Sequence, residues 1–381
     1  MMLPTLQFGD AEHALAKQIR VWIEQHDPGE PPAEYAARMQ ALIAWQRQLH
    51  AAGFVGLSWP VEYGGRGLGL AAEAVLTEEL GRSSMPELIN RLALYTWGPT
   101  LLRFGTEAQR HRLLAPMLDA GEIWCQGFSE PDAGSDLAGI RTSARRDGDA
   151  LVVSGQKVWT SRAELSAWNA LLVRTDPDQP PHRGLSLLIV DMRSPGITVG
   201  PLRQMLDEPH FSEVFFDDVR VPATNVLGSV DHGWEVAMAA MGFERGLFVL
   251  ERSTRLLRRF DHLVQELADR GRRDDQVASR LGVVRAHLDV LQARVYSTLA
   301  GQVQGTLRPG ATSVDKLLLT VADQELFAAA FDLLGDDAAS ADHGWSQDLM
   351  LSRSVSIYSG TSEIQKNVIA RQMLALPRNG A

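Results

Sequence analysis

The sequence predicts an α+β fold in which a helical segment is followed by a β segment and then by a second helical segment. Apolar residues recur at helical spacing from about residue 10 to 118 and again from Gly233 to about 376. Between 121 and 228 the chain instead carries short runs rich in Val, Ile, Leu, Trp and Phe. We therefore expect an N-terminal helical domain over 1–120, a middle β domain over 121–230 and a C-terminal helical domain over 231–381.

The N-terminal segment alternates polar and apolar blocks such as AEYAARMQALIAWQRQLHAAG and AAEAVLTEELGRSS, which end in Gly or Ser as helices do. The connection SWPVEYGGRGLGL, residues 58–70, is dense in Gly and Pro. It does not match the G-x-G-x-x-G pattern of a nucleotide loop, and it follows a helical segment rather than a strand. We interpret it as a turn.

The middle segment contains strand-length runs separated by turn residues, among them ALVVSGQKVWTS and SEVFFDDVRVP. No helical blocks lie between these runs. This spacing favours an antiparallel sheet or barrel over a Rossmann unit. In the last segment, helical periodicity extends over about 233–268, 276–304, 312–335 and 346–375, which predicts a four-helix bundle.

Composition excludes several function classes. The formal net charge is -10 and no basic run could follow a phosphate backbone, so nucleic acid is not an expected partner. The single cysteine, Cys125, precludes an intramolecular disulfide and fits a reducing cytoplasm. The histidines form no close pair of metal ligands, so we expect no metal. The N-terminus lacks the pattern of a signal peptide and no stretch is long enough to span a membrane, so we expect a cytoplasmic protein without membrane insertion.

Glu244 is a candidate general base. It shares a helical stripe with Ala237, Met241 and Phe248, so it should lie on an apolar face, where burial raises a carboxyl pKa toward neutrality. The alternative is a structural Glu paired with Arg245 or Arg252. The glycines on either side of this residue favour the catalytic interpretation, because glycine inside a helix suggests a close approach to the backbone.

Three motifs resemble those of the acyl-CoA dehydrogenase family. Residues 124–136, WCQGFSEPDAGSD, are similar to its (T/S)-E-P-x-A-G-S-D signature. Residues 155–161, GQKVWTS, are similar to its N-G-x-K-x-W-(I/T)-(T/S) strand, and residues 357–365, IYSGTSEIQ, resemble its C-terminal Y-x-G-T-x-x-I-Q motif. The motifs occur in the family's order and spacing, and the resemblance covers essentially the whole chain.

The resemblance implies that the first two motifs form a platform for FAD. Ser129 would contact the edge of the flavin ring and Ser161 would lie beside its reactive N5. Gly134 and Ser135 suit the approach of backbone N–H groups and a hydroxyl to phosphate, and Trp159 offers a rigid apolar plane. The full set of implied cofactor-binding residues is Gln126, Phe128, Ser129, Gly134, Ser135, Trp159, Thr160, Ser161, Thr361 and Glu363. Family members often carry Gln at the position of Glu363, and a carboxylate near a diphosphate is unfavourable unless it turns away.

Ser359 departs from the family pattern in a way that bears on catalysis. Many members carry their catalytic Glu at this position, and a serine hydroxyl alone cannot remove an α-proton at neutral pH. The isovaleryl-CoA and long-chain dehydrogenases place the base on the first long helix of the C-terminal domain instead, and the segment G-F-E-R-G aligns with that site. The resemblance therefore also implicates Glu244 as the base. It makes Ser135, Arg245, Tyr358, Ser359 and Gly360 the substrate-binding residues.

The implied activity is α,β-dehydrogenation of an acyl-CoA thioester to the trans-2-enoyl-CoA. Glu244 would take the α-proton, the β-hydrogen would leave as hydride to flavin N5, and an electron-transfer flavoprotein would accept the electrons. The thioester carbonyl would be polarised by the flavin ribityl hydroxyl and a main-chain N–H at Ser359. We expect a homotetramer or dimer, although a heterotetramer also fits.

Two alternatives remain open at this stage. One is an oxidase of the same fold that uses oxygen, and the other is a non-catalytic partner subunit of a heteromeric dehydrogenase. The segments matching Ala268–Ala278 and Asp332–Asp336 lack the Phe-Gly pair and the Gln that reach a neighbouring subunit's flavin in the family. This departure puts the cross-subunit cofactor contacts in doubt and leaves open a heteromeric assembly in which a partner chain supplies them. The sequence does not define the length or branching of the acyl group.

Overall fold

A computed structural model of the chain describes residues 6–206, 208, 210–339 and 344–377, and for residues 244 and 245 it describes the backbone alone. The described chain runs through helices, then strands, then helices, so the predicted α+β order is confirmed. Within these ranges no helix is long and apolar enough to cross a membrane.

In the described residues, six α-helices precede the first strand and five follow the last one. They are α1 (Asp10–Gln25), α2 (Tyr35–Ala51), α3 (Leu70–Arg82), α4 (Gly98–Phe104), α5 (Glu107–Leu113), α6 (Ala115–Leu118), α7 (Gly233–Asp269), α8 (Asp275–Val303), α9 (Ala311–Leu334), α10 (Trp345–Ser354) and α11 (Ser362–Gln372). The Gly- and Pro-rich connection over 58–70 contains only a short 3-10 turn at Val61–Tyr63, which agrees with its interpretation as a turn. The segment predicted over 346–375 is divided into α10 and α11 by a turn that carries the third motif.

The middle of the chain folds into an eight-stranded sheet. Its strands are β1 (Trp124–Gly127), β2 (Ser143–Asp147), β3 (Ala150–Ser161), β4 (Trp168–Arg174), β5 (Leu185–Asp191), β6 (Ile197–Leu202), β7 (Phe211–Pro222) and β8 (Val226–Leu227). The order is β6-β7-β3-β2-β4-β5-β8, with β1 paired to β4. Most pairs are antiparallel as predicted, but β1 and β2 each run parallel to β4.

The apolar side chains on one face of the sheet form a continuous core that includes Cys125, Leu171, Val190 and Val214. Burial raises the pKa of the Cys125 thiol to about 12, so the thiol is protonated and unreactive at neutral pH. Strand β7 contributes alternate residues to this core, whereas β4 and β5 are buried on both faces.

The chain divides into two compact units. One consists of Pro28–Gly67 and Pro86–Glu244 and contains the sheet. The other consists of Met1–Asp27, Leu68–Met85 and Arg245–Ala381 and contains α8 to α11 with the later part of α7. The domain boundaries at 120 and 230 stay a prediction.

In the helical unit, α9 packs against α8, α10 and α11. Buried ion pairs connect these helices: Arg294 to Asp315 at 2.9 Å between α8 and α9, and Arg252 to Asp323 at 2.7 Å between α7 and α9. Asp323 is fully buried, so the ion pair between Arg252 and Asp323 stabilises the packing of α7 against α9 only when both side chains are charged.

Candidate active site

The first motif begins with β1, continues into the loop that follows it, and is anchored by a buried ion pair. The Nζ of Lys157 donates to the carbonyl of Phe128 at 3.0 Å and to Oε1 of Glu130 at 2.8 Å. The Glu130 carboxylate also accepts from the backbone N–H groups of Arg141 at 2.7 Å and Thr142 at 2.9 Å. Because the pair fixes the residues on both sides of Ser129, it determines where that serine lies.

The environment of this pair changes the pKa of both groups. Burial lowers the pKa of the Lys157 ammonium to about 8, and the Glu130 charge offsets only part of that effect. Burial acts to raise the pKa of Glu130, but the Lys157 charge and the hydrogen bonds from Lys157, Arg141 and Thr142 outweigh it and lower the pKa. Both groups are therefore charged near pH 7.

The second motif lies on β3 at an irregularity in the ladder. Pairing with β7 shifts register between Lys157 and Thr160, and Trp159 takes a left-handed backbone conformation with φ of 59°. Such a conformation is unusual for a bulky residue and directs the side chain out of the ladder. The indole is 55% exposed and meets the ring of Phe211 edge to face at 5.8 Å between centroids.

The residues beside Trp159 differ in exposure. Ser161 is exposed, whereas Thr160 is fully buried and its hydroxyl has no hydrogen-bond partner among the described groups. The backbone N–H of Val158 donates to the carbonyl of Ser129 at 2.9 Å, so the first two motifs lie side by side. This hydrogen bond brings Ser129 of the first motif close to the segment of β3 that carries Trp159, Thr160 and Ser161.

The remaining residues of this surface suit a flavin. Gly134 and Ser135 are exposed, and a Cβ built on Gly134 would meet no described atom within 4 Å, which leaves room for a phosphate against the backbone. Phe128 is buried edge to face against Trp97 at 6.0 Å, and Gln126 is partly exposed. An exposed aromatic plane, exposed hydroxyls and an open glycine backbone are the groups that a flavin with its diphosphate requires.

The third motif forms the turn between α10 and α11. Ser359 and Gly360 have left-handed backbones with φ of 52° and 89°. The buried Gln365 donates from Nε2 to the carbonyls of Ser359 at 2.9 Å and Gly360 at 3.3 Å. A Cβ on Gly360 would lie 2.4 Å from that Nε2, so this position requires glycine.

The start of α11 orients the rest of the motif. Thr361 is the N-cap residue, and its hydroxyl accepts from the backbone N–H of Ile364 at 3.3 Å. Glu363 is exposed, and hydrogen bonds from its own backbone N–H and the Thr361 hydroxyl lower its pKa. Glu363 is thus charged at neutral pH, which makes it an unfavourable neighbour for a diphosphate unless it points away. Its role as a cofactor ligand stays a prediction.

Glu244 and Arg245 lie in α7, but their side chains fall outside the described residues. On the predicted stripe, Ala237 is buried while Met241 and Phe248 are partly buried. Arg252, one of the two arginines considered as a structural partner for Glu244, is ion-paired with Asp323.

The two glycines that flank Glu244 differ in their surroundings. A Cβ on Gly246 would meet the Gln302 amide at 2.9 Å, whereas one on Gly242 would meet no described atom within 4 Å. The expected close approach therefore occurs at Gly246, where the neighbour is a side chain of α8, and Gly242 faces open space.

The two segments that depart from the family pattern carry ion pairs of their own. Arg270 pairs with Glu266 at 2.6 Å and also with Asp337. Arg280 pairs with Glu325 at 2.6 Å and with Asp332 at 3.2 Å. These arginines are therefore engaged within the chain.

Sequence reasoning missed the residues that hold the motifs in place. Lys157, Glu130 and Gln365 belong to the motifs, but no role was assigned to them from the sequence. A signal was available, because a lysine or glutamine inside an apolar strand or helix must satisfy its polar group locally.

Comparison with known proteins identifies the family. The family models for the acyl-CoA dehydrogenase N-terminal, middle and C-terminal domains match residues 9–121, 125–219 and 231–374. The acyl-CoA dehydrogenase IpdE1 of Mycobacterium tuberculosis is 39% identical over 374 residues, covering 95% of this chain and 97% of that protein.

Solved structures of similar proteins also match the chain over nearly its whole length. The ChsE4-ChsE5 complex from Mycobacterium tuberculosis matches with a TM-score of 0.84 and 28% identity over 98% of this chain and 99% of that one. A variant of the Tcur3481-Tcur3483 steroid ACAD matches with a TM-score of 0.86 and 25% identity over 97% and 99%. Because all three domain models match this chain and the IpdE1 protein is similar over nearly its whole length, this chain is a flavin-dependent oxidoreductase of the acyl-CoA dehydrogenase family.

Proposed function

We propose that the chain oxidises an acyl-CoA thioester to the trans-2-enoyl-CoA with FAD as cofactor and Glu244 as the base. The observation that carries the proposal is the serine at position 359, on an ordered turn that retains the rest of the third motif. A family member with an otherwise complete flavin surface and no carboxylate at that position requires a base from another element. Glu244, in the segment that aligns with the alternative position, is our candidate.

The residues that would hold FAD are those of the exposed surface formed by β3 and the loop that follows β1. Trp159 would lie against the ring, Ser129 and Ser161 would donate to its polar edge, and Gly134 with Ser135 would approach the diphosphate. When bound, FAD supplies a two-electron acceptor for the hydrogen that leaves the β-carbon. The buried Lys157–Glu130 pair would keep Ser129 in place.

The turn at residues 358–360 would bind the thioester carbonyl. A main-chain N–H in this turn can donate to the carbonyl oxygen as negative charge develops there, which acidifies the α-carbon. The side chain of residue 359 is not needed for that donation, so serine can replace glutamate without loss of the oxyanion site. The Glu244 carboxylate would then take the α-proton, and burial of the acyl group would exclude water from it.

The names of two relatives bear on the acyl group of the substrate and on the composition of the assembly. The 25%-identical relative is described as a steroid ACAD, and both solved relatives are named as pairs of different chains. We propose a ring-bearing, steroid-derived acyl-CoA as the substrate and an electron-transfer flavoprotein as the acceptor. We also propose a heterotetramer, because both solved relatives are named as pairs of different chains and because Arg270 of the first divergent segment is already paired with Glu266 and Asp337 of the same chain.

The decisive variant for the base is Glu244→Gln. It should keep bound flavin, identified by its visible absorbance, but lower the rate at which an acyl-CoA bleaches that absorbance by on the order of a thousandfold or more. Ser359→Ala should change this rate little, because the main chain supplies the donor. Stopped-flow absorbance measures both rates across a panel of straight, branched and steroid-derived acyl-CoA thioesters.

Glu235→Gln is a matched control, since Glu235 is an exposed carboxylate in the first turn of the same helix. A near-normal bleaching rate in Glu244→Gln would place the base elsewhere. Release of hydrogen peroxide during turnover would favour the oxidase alternative. Colourless protein that takes up FAD only with a second chain, as counted by native mass measurement, would favour the partner-subunit alternative.

A further inference from the structure

The chain uses lysine very sparingly. Only Lys17, Lys157, Lys316 and Lys366 occur among its 37 basic residues, and all the others are arginine. Lys17 and Lys366 are exposed, whereas Lys157 is fully buried and Lys316 is 2% exposed. Both buried lysines donate to a backbone carbonyl next to a motif: Lys157 to Phe128 and Lys316 to Val355. A compact ammonium group on a flexible stem fits such a site, while a planar guanidinium does not.

Lys316 lies on α9 beneath the turn that carries the third motif. Its Nζ donates to the carbonyl of Val355, the residue that closes α10. The same Nζ lies 4.8 Å from the centroid of the Tyr358 ring, within the range of a cation–π interaction. One buried ammonium group therefore contacts the turn at two points three residues apart.

Neighbouring residues of α9 support the same turn. Nε2 of Gln324 donates to the carbonyl of Ser352 at 3.1 Å, whereas the hydroxyl of Thr320 donates mainly to the carbonyl of Lys316 at 2.9 Å and lies 3.4 Å from that of Val355. From the other side, Gln365 holds the carbonyls of Ser359 and Gly360. Because Ser359 and Gly360 both have left-handed backbones, their N–H groups keep one direction only while these contacts persist.

We propose that Lys316 is a positioning residue for the thioester-binding turn. It fixes the end of α10 and the Tyr358 ring, and through them it aims the main-chain N–H groups of residues 359 and 360. This inference rests on the proposed function, in which that turn polarises the thioester carbonyl. Lys316 has no counterpart among the motif residues from which the function was inferred.

The test uses Lys316→Met, which keeps the approximate length of the side chain but removes the ammonium group. A displaced donor stabilises the developing charge poorly, so flavin bleaching in a single turnover at saturating acyl-CoA should slow by on the order of ten- to a hundredfold. The dissociation constant of the acyl-CoA should change by less than about threefold, since the effect arises in the transition state. A single-turnover rate constant does not depend on the folded fraction of the sample, so mere loss of stability would not alter it.

A second measurement does not require activity. Hydrogen exchange followed by mass spectrometry should show faster exchange of the amides in 355–361 in Lys316→Met and unchanged exchange in β3. The matched control is Lys17→Met, an exposed lysine on α1. If Lys316→Met fails to fold, Lys316→Gln decides, because the shorter neutral amide keeps a polar group at this buried position but supplies no cation to the Tyr358 ring, so both measurements should change in the same direction by about two- to fivefold.

The outcomes separate this proposal from the proposed function. If no acyl-CoA bleaches the flavin of the unaltered chain, the proposed function fails, and the exchange measurement alone decides whether Lys316 holds the turn. Bleaching and exchange equal to those of Lys17→Met would overturn the proposal. So would slower bleaching with unchanged exchange at 355–361, because Lys316 would then act by some means other than positioning.

Discussion

The flavin surface, formed by β3 and the loop that follows β1, and the turn between α10 and α11 both present backbone groups for binding, but different forces hold them. The first is tied into the sheet ladder and anchored by the buried ion pair of Lys157 and Glu130. The second has no ladder, and side-chain donors from α9 and α11 hold its carbonyls. The first region therefore depends on paired charge, and the second on hydrogen bonds made by single side chains.

This difference predicts different consequences of substitution. Removing one partner of a buried ion pair leaves an uncompensated charge, which destabilises the whole fold. Removing a donor to a backbone carbonyl leaves a neutral acceptor, which costs less and affects the local turn first. Substitutions in the ion pair that anchors the flavin surface should thus lower global stability, whereas those at the turn should alter local order and catalysis.

The largest effect is expected for Lys157→Met. It leaves the Glu130 carboxylate buried without its cation, so the free energy of unfolding should fall by about 3–5 kcal/mol. Urea denaturation followed by far-UV circular dichroism measures it, with Lys17→Met as the exposed control. The double variant Lys157→Met, Glu130→Gln should recover part of the loss, since it removes both charges. Equal midpoints for Lys157→Met and the control would refute the dependence on paired charge.

A smaller effect is expected for Gly360→Ala in the turn. The φ of 89° and the 2.4 Å distance from the new Cβ to Nε2 of Gln365 force the turn to shift, at a cost of about 1–3 kcal/mol. Gly282→Ala is the matched control, because Gly282 lies exposed within α8 with open space around it. That control should be neutral or stabilising by up to about 1 kcal/mol. Equal stability of the two variants would show that the turn is not tightly held.

The same contrast explains what the sequence could predict. The helical and β segments followed from periodicity, and the three motifs located the flavin surface and the turn. The register shift at Trp159 and the break between α10 and α11 could not be predicted, because they depend on partners distant in the chain: β7 for the first and α9 for the second. Periodicity alone therefore extended one helix across the turn.

The supporting residues were missed for a related reason. Lys157 and Lys316 matter through contacts with Phe128 and Val355, which are 29 and 39 residues away, and neither contact leaves a pattern in local sequence. The clue was compositional, since two of four lysines lie within otherwise apolar runs. The sequence also could not predict that β1 and β2 pair in parallel with β4, because short apolar runs are compatible with either direction of strand pairing.

The smallest predicted effect is a change of stability with pH, which should be larger for a buried carboxylate than for an exposed one. Because the folded state lowers the pKa of Glu130 below its unfolded value of 4.5, the stability this group contributes is present above about pH 4.5 and is lost as the pH falls through its folded pKa. The unfolding free energies of the unaltered chain and Glu130→Gln should therefore differ most between pH 5 and 7. The difference should narrow below about pH 4.5.

One proton can change that difference by at most about 1.4 kcal/mol per pH unit, which thermal melts at half-unit intervals would resolve. Glu363→Gln is the control from the turn region. Its carboxylate also has a lowered pKa but is exposed, so solvent screens its interactions and the corresponding change should be much smaller. A constant difference between the unaltered chain and Glu130→Gln from pH 7 to 3.5 would mean that Glu130 gains nothing from its charge. The ion pair with Lys157 would then not be the force that distinguishes the flavin surface from the turn.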